Sequence, residues 1–262
     1  MRRRRLIQSA GCLGSAIAAA CGLPTRAQNR PPEVKKVALA AASDLKFALT
    51  ELVAQFERET PYRCSLNLGS SGNLAQQIRQ GLPVDLFLSA DEAYVFQLAD
   101  AGLSKDRGSL YAIGRIALFV PQGSPIRLDP ELRGLMAQWS SVSKFAIANP
   151  EHAPYGRAAQ QALQQLGLWE RVQAKLVIGE NISQATQFVA TGAAQAGITA
   201  LSLALAQQLA ALGEYVLLPE RLHAPLRQRM VLLQAASPGA QAFYDFLQTA
   251  PAKRVLARYG FR

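Results

Sequence analysis

The sequence predicts an α/β fold, with parallel-rich, mixed sheets covered by helices on both faces and the whole arrangement built twice. Three observations carry this prediction. Segments of strand character and of helical period alternate from Val34 to Tyr259, the pattern of strands joined by crossover helices. The second half of the chain repeats that architecture without repeating the residues. With 262 residues, 50% of them apolar and 18% charged, the chain can bury one large core or two modest ones and needs no disulfide to fold.

The elements follow in order. Val34 to Ala42 is an apolar run of strand length, and Asp44 to Glu59 places Leu45, Ala48, Leu49, Leu52, Val53 and Phe56 at helical spacing. Thr60-Pro61 stops that helix, Tyr62 to Leu68 alternates as a strand does, and Leu74 to Gln80 is a helix closed by Gly81. Val84 to Ala90 is a strand, Asp91 caps a helix ending near Gly102, and Leu110 to Val120 reads as one long strand stopped by Pro121. In the second half Lys144 to Ala148, Lys175 to Ile178, Ala196 to Leu201, Tyr215 to Leu218 and Gln228 to Leu233 read as strands. Gly156 to Leu166, Ser183 to Thr191, Ser202 to Leu212, Gly239 to Leu247 and Ala252 to Tyr259 read as helices.

The formal charge of +10 dissolves once it is placed along the chain. Five of the 28 basic residues, Arg2 to Arg5 and Arg26, fall within residues 1–27, which hold no acid, so the remainder has 23 bases against 18 acids. That excess forms no basic stripe and no aromatic-interleaved run, and nucleic-acid binding is not expected. The leading segment reads as an export signal. A basic block precedes the Gly- and Ala-rich stretch Cys12 to Leu23, and Thr25-Arg26-Ala27 offers small residues for cleavage after Ala27. The arginines before Leu6-Ile7 also fit a twin-Arg signal. A lipid anchor at Cys21 is the alternative, without the leucine that usually stands three residues before such a cysteine. Cleavage leaves Cys64 alone, a small core residue that cannot form an internal disulfide.

Catalytic parts are sparse. His152 and His223 lie in separate segments and, with one cysteine, make no metal set. Gly69-Ser70-Ser71-Gly72-Asn73 fails the nucleophile-elbow spacing, and no phosphate-binding glycine motif exists. No cofactor is expected. What the strand-to-helix junctions do offer is small and polar residues: Ser43-Asp44, Ser70-Ser71-Gly72, Tyr155-Gly156 and Ile182-Ser183. Each marks a helix N-terminus with unpaired N–H groups and the positive end of a helix dipole, so an oxyanion could be held there without Lys or Arg. Open α/β sheets bind ligands at the carboxyl ends of their strands, where these junctions fall. Ser43 and Ser71 read equally as caps and as ligand donors. Asp44 and Asn181 read as caps, because an ionised Asp aimed at a dianion would repel it.

Ala41-Ala42-Ser43, Gly69-Ser70-Ser71-Gly72-Asn73-Leu74, Pro83-Val84-Asp85-Leu86-Phe87-Leu88-Ser89-Ala90-Asp91, Pro150-Glu151-His152-Ala153-Pro154-Tyr155-Gly156, Phe243-Tyr244-Asp245-Phe246-Leu247 and Arg258-Tyr259-Gly260-Phe261, in that order, resemble the periplasmic molybdate-binding proteins of ABC importers. The resemblance runs from about residue 35 to the end. It implies a two-lobed type II periplasmic binding protein fold, with residues 34–113 and 230–262 in one lobe, 114–229 in the other, and a ligand cleft between them. The crossings would fall within Leu110 to Val120 and Gln228 to Leu233. The implied ligand is molybdate or tungstate, bound as an oxyanion by Ser43, Ser71 and the backbone N–H groups of Tyr155 and Ile182. The implied partner is an ABC transporter membrane permease, and the implied state is a periplasmic monomer without catalysis.

Two positions depart from the family. Ala200 stands where many members place a ligand-bonding Tyr, and the Tyr155 phenol either replaces that donor or packs. Asp44 follows the serine where Leu or Asn is more usual. Turned inward it could accept a proton from a ligand such as hydrogen phosphate; turned outward it caps the helix. Three rivals stand beside it on the sequence: a phosphate or sulfate receptor on the same fold, an enzyme using Ser71 or Cys64 as nucleophile, and an interaction module drawn by its basic charge to nucleic acid or anionic lipid, a charge that removal of the signal halves.

Overall fold

The computed structural model describes residues 35–262; the export-signal reading of residues 1–27 and the anchor reading of Cys21 lie outside the described residues. The first run of elements is β1 (Lys35–Ala42), α1 (Lys46–Glu59), β2 (Tyr62–Gly69), α2 (Ser71–Arg79), β3 (Leu86–Ser89), α3 (Glu92–Asp100) and β4 (Ser109–Gly114). The second is β5 (Ile116–Pro121), α4 (Arg133–Ala137), β6 (Phe145–Ala148), α5 (Pro154–Gln165), α6 (Trp169–Gln173), β7 (Leu176–Gly179), α7 (Ile182–Ala190), β8 (Ala196–Ala200), α8 (Leu201–Ala204), α9 (Gln207–Ala210) and β9 (Gly213–Leu217). The chain closes with β10 (Leu226–Leu232), α10 (Pro238–Gln248) and α11 (Ala250–Arg258).

The strands form two five-stranded sheets, ordered β2-β1-β3-β10-β4 and β7-β6-β8-β5-β9. They have the same plan. In the first, β1 runs parallel to β2 and β3 while β10 is antiparallel to β3 and β4. In the second, β6 runs parallel to β7 and β8 while β5 is antiparallel to β8 and β9. The fourth position in each sheet is taken by a strand adjoining a crossing, so two mixed sheets result from an alternation that reads as parallel-rich. Each sheet with the helices on its faces is a lobe.

Covering both faces explains the unbroken apolar strands. Along β1, Val37, Leu39 and Ala41 pack under α1 and the terminal helices with Leu49, Phe56, Phe243 and Leu256. Ala40 and Phe87 of β3 face the other side, with Leu74, Ile78 and Val95 from the α2 and α3 layer. The second sheet divides likewise: Leu118, Ile147, Ile198 and Leu163 on one face, Phe119, Ala146 and Val189 on the other.

Three expectations need correction. Leu110 to Val120 is two strands, β4 in the first sheet and β5 in the second, because the chain leaves one lobe at Arg115 and enters the next. The return crossing lies between β9 and β10, upstream of Gln228 to Leu233, since β10 is hydrogen-bonded within the first sheet from Leu226 onward. Residues 226–229 therefore go with the first sheet. Ser202 to Leu212 breaks into the short helices α8 and α9.

Candidate functional site

Parallel registers bring the carboxyl ends of the strands level. Ala42 pairs with Gly69 at the end of β1 and β2, and Ala148 pairs with Gly179 at the end of β6 and β7. The chain turns from each of these ends into a helix. Ser43 opens a 3-10 turn before α1, Ser71 opens α2, Tyr155 is the second residue of α5, and Ile182 opens α7. All four line one cleft of about 180 Å³, part of it open to solvent, with Asp44, Ser70, Gly69 and Ala90 from the first lobe and Ala153 and Pro154 from the second. Among the described residues, no Lys, Arg or His is in its walls. An anion placed here would meet helix N-termini, hydroxyls and the Asp44 carboxyl.

The lobes touch around this space. Ser183 Oγ donates to the Ser43 carbonyl at 2.8 Å, and Ser43 Oγ donates to Asn181 Oδ1 at 3.1 Å. Gly72 N–H donates to the His152 carbonyl at 2.9 Å, and Ser70 Oγ lies 2.8 Å from His152 Nδ1. Arg157 pairs with Asp91 across the same seam. The serine–histidine contact superficially resembles a nucleophile and base, but among the described residues no carboxylate bonds the other ring nitrogen, so the orienting third member is missing. Ser71 Oγ instead accepts the Ala90 N–H at 2.9 Å, which leaves its own proton free to donate.

Asn181 caps α7, its side chain accepting from the Gln184 N–H. Asp44 does not cap. Its side chain is buried, with Oδ2 accepting from the Tyr155 hydroxyl at 3.0 Å and from Gln228 Nε2 at 2.7 Å. Gln228 also donates to the Tyr155 oxygen at 3.0 Å and accepts from the Tyr111 hydroxyl at 2.7 Å. Asp44 Oδ1 has no partner among the described residues. Burial pushes this carboxyl from an ordinary 3.8 up to about 7, against the pull of Gln228, Tyr155 and the nearby N–H groups of Asp44 and Leu45. The expected cap is overturned because Gln228 and Tyr155 supply better partners than an exposed helix end would. The Tyr155 phenol gives its proton to Asp44, so it does not stand in for the donor that Ala200 lacks.

Gln228 and Tyr111 escaped the sequence reading. Each sits within a strand and is far along the chain from Asp44, and only the pairing of β10 with β4 brings them together. The one available signal was a polar Gln on the buried face of β10, and the exposed Arg227 and half-buried Arg229 beside it mask that signal. Cys64 is half-buried on β2, its thiol pushed up to about 12 by burial and by the nearby Glu57 and Asp85 carboxylates.

Two sheet-bearing lobes, crossed by the chain at two places and meeting over a cleft at their helix N-termini, define a solute-binding protein. Residues 37–262 match the model of the bacterial extracellular solute-binding protein family, and the chain belongs to that family. It is 34% identical over 232 residues to the molybdate-binding protein ModA of Azotobacter vinelandii, covering 87% of this chain and 90% of that one. It is 33% identical to ModA of Rhodobacter capsulatus, covering 88% and 90%. The solved periplasmic molybdate-binding protein of Azotobacter vinelandii superposes with a TM-score of 0.79 at 27% identity, over 86% of this chain and 98% of that one.

Proposed function

We propose that the protein captures molybdate or tungstate between its lobes, does no chemistry on it, and passes it to the membrane permease of an ABC transporter from the periplasm. The observation that carries this reading is the convergence of Ser43, Ser71, Tyr155 and Ile182 on one cleft with no basic side chain in its walls among the described residues. Backbone N–H groups at the starts of α5 and α7 and the Ser71 hydroxyl would hold the oxygens of the ligand. Closing the lobes over a tetrahedral dianion adds donors from both sides, which is the differential contact that a closing receptor needs. The relatives named for molybdate binding support the choice of ligand, and a relative described as a putative ABC transporter substrate-binding lipoprotein supports the choice of partner.

Titration of the protein with molybdate, tungstate, sulfate and phosphate, followed by thermal unfolding, tests this. Molybdate and tungstate should each raise the midpoint by several degrees at concentrations well above Kd, with sulfate and phosphate weaker. Stabilisation by phosphate or sulfate alone would overturn the reading. Ser71→Ala removes a hydrogen bond to a charged group worth about 1.5 to 3 kcal/mol and should weaken molybdate binding roughly 10- to 150-fold.

A further inference from the structure

Among the described residues, Asp44 is the one acidic side chain in the wall of a cleft otherwise suited to an anion, and an ionised carboxylate there would oppose the ligand. We infer that Asp44 takes part in oxyanion capture as a neutral acid: it donates a hydrogen bond from Oδ1 to the bound dianion, and binding is coupled to uptake of a proton at that atom. The inference deepens the function proposed above and rests on it.

The hydrogen bonds of the carboxyl group decide which oxygen carries the proton. Oδ2 already accepts two, from Tyr155 and from Gln228. Gln228 is held in that orientation because its Oε1 accepts from Tyr111. A proton on Oδ2 would compete with both donors, whereas Oδ1 is buried and has no partner among the described residues. An O–H on Oδ1 is a donor without an acceptor until something with a lone pair fills the space that Asp44 lines. A buried polar atom left unmatched is costly, and an oxyanion oxygen beside it removes that cost.

The Gln228 and Tyr155 donors and the nearby N–H groups favour the charged form, but among the described residues no cation bonds the carboxyl, and burial outweighs them. The titratable groups facing it are the phenols of Tyr155 on α5 and Tyr111 on β4, both displaced well above their ordinary values by burial and then by the Asp44 charge. From β10 it meets the Gln228 amide, and from α8 the Ser202 hydroxyl, which donates to the Asp44 carbonyl at 2.8 Å. From α7, Ser183 contacts the preceding residue, Ser43. On the following helix Lys46 lies exposed over the Phe47 ring, and Arg157 of α5 is paired with Asp91. The proton balance is simple. Free protein with ionised Asp44, one proton from solvent and one dianion give a complex with neutral Asp44, and no covalent bond to the ligand forms or breaks.

Calorimetric titration of the intact protein with sodium molybdate, in buffers of different ionisation enthalpy, counts the protons directly. Uptake should rise with pH toward one proton per site by about pH 9, and affinity should fall by about tenfold for each pH unit above the carboxyl's titration. Asp44→Asn keeps the shape and supplies an N–H, so its uptake should be near zero and its affinity level across the same range. Molybdate binding to the unaltered protein with no proton uptake, or with a pH profile matching that of Asp44→Asn, would overturn the inference and leave the oxyanion reading standing. Failure of either protein to bind molybdate at any pH would overturn that reading and this inference together. Tighter binding of phosphate than molybdate without proton uptake would show Asp44 acting as a carboxylate acceptor and would also sink it.

Discussion

At the scale of single residues, burial decides what Asp44 contributes to the empty protein. Its carboxyl titrates near 3.8 when solvated and at about 7 in the fold, so the folded chain holds a proton that the unfolded chain releases. Folding stability from this group is therefore fully present below about pH 4, is lost as pH rises toward 7, and changes little beyond that. Asp44→Asn removes the linkage. Ligand-free unfolding in urea should show the variant more stable than the parent at about pH 8, by on the order of a few kcal/mol, with the gap closing toward pH 4. A gap that is constant with pH would mean that Asp44 is ionised in the fold. The Ser43 hydroxyl, by contrast, is shared between Asn181 and the Ser183 N–H, so a ligand must compete for it, whereas the Ser71 proton is free.

At the scale of elements, the end of β4 shows how closely a crossing is packed. A Cβ built on Gly114 would collide with the Tyr155 hydroxyl and lie 2.8 Å from Gln228 Nε2, inside the network that positions Asp44. Gly114→Ala should cost about 1 to 3 kcal/mol and lower the thermal midpoint by roughly 2 to 10 °C. The apolar runs of β1, β3 and β6 and the helical spacing of α1 were legible in the sequence because burial on two faces or on one stripe writes a period into the residues. The break at Arg115 was not. Ser109–Gly114 and Ile116–Pro121 share one strand-like composition, and only their pairing with different sheets separates them. The helix starts at Ser71, Tyr155 and Ile182 could be found from turn chemistry. The partners of Asp44 could not, because no local rule links residue 44 to residue 228.

At the scale of the whole molecule, closure is governed by a narrow seam. Gly72 approaches His152 so closely that an added Cβ would sit 2.7 Å from the His152 carbonyl oxygen and 2.9 Å from the Tyr94 hydroxyl. Alanine favours the α2 helix by up to about 1 kcal/mol over glycine, so Gly72→Ala should leave the ligand-free midpoint unchanged or slightly higher. The Tyr94 hydroxyl, on α3 of the same lobe, can swing aside, whereas the His152 carbonyl obstructs as the lobes meet, and molybdate affinity should fall more than about tenfold. Small-angle scattering at saturating molybdate should then show less compaction than in the parent, and equal compaction would refute the seam as the limiting contact. The Arg157–Asp91 pair is a weaker latch, since both side chains are partly exposed, at 39% and 28%, and such pairs contribute at most about 1 kcal/mol.

Arg115 belongs to both lobes at once: its carbonyl accepts the Leu201 N–H beside the second sheet, while its guanidinium donates to the Gly260 carbonyl beside the first. A residue fastened on both sides moves little when the halves swing about it, as a pivot does. Fluorophores attached near it will be almost blind to opening, whereas a donor and acceptor at Asn73 and Glu151, facing each other over the rim, will register the full stroke.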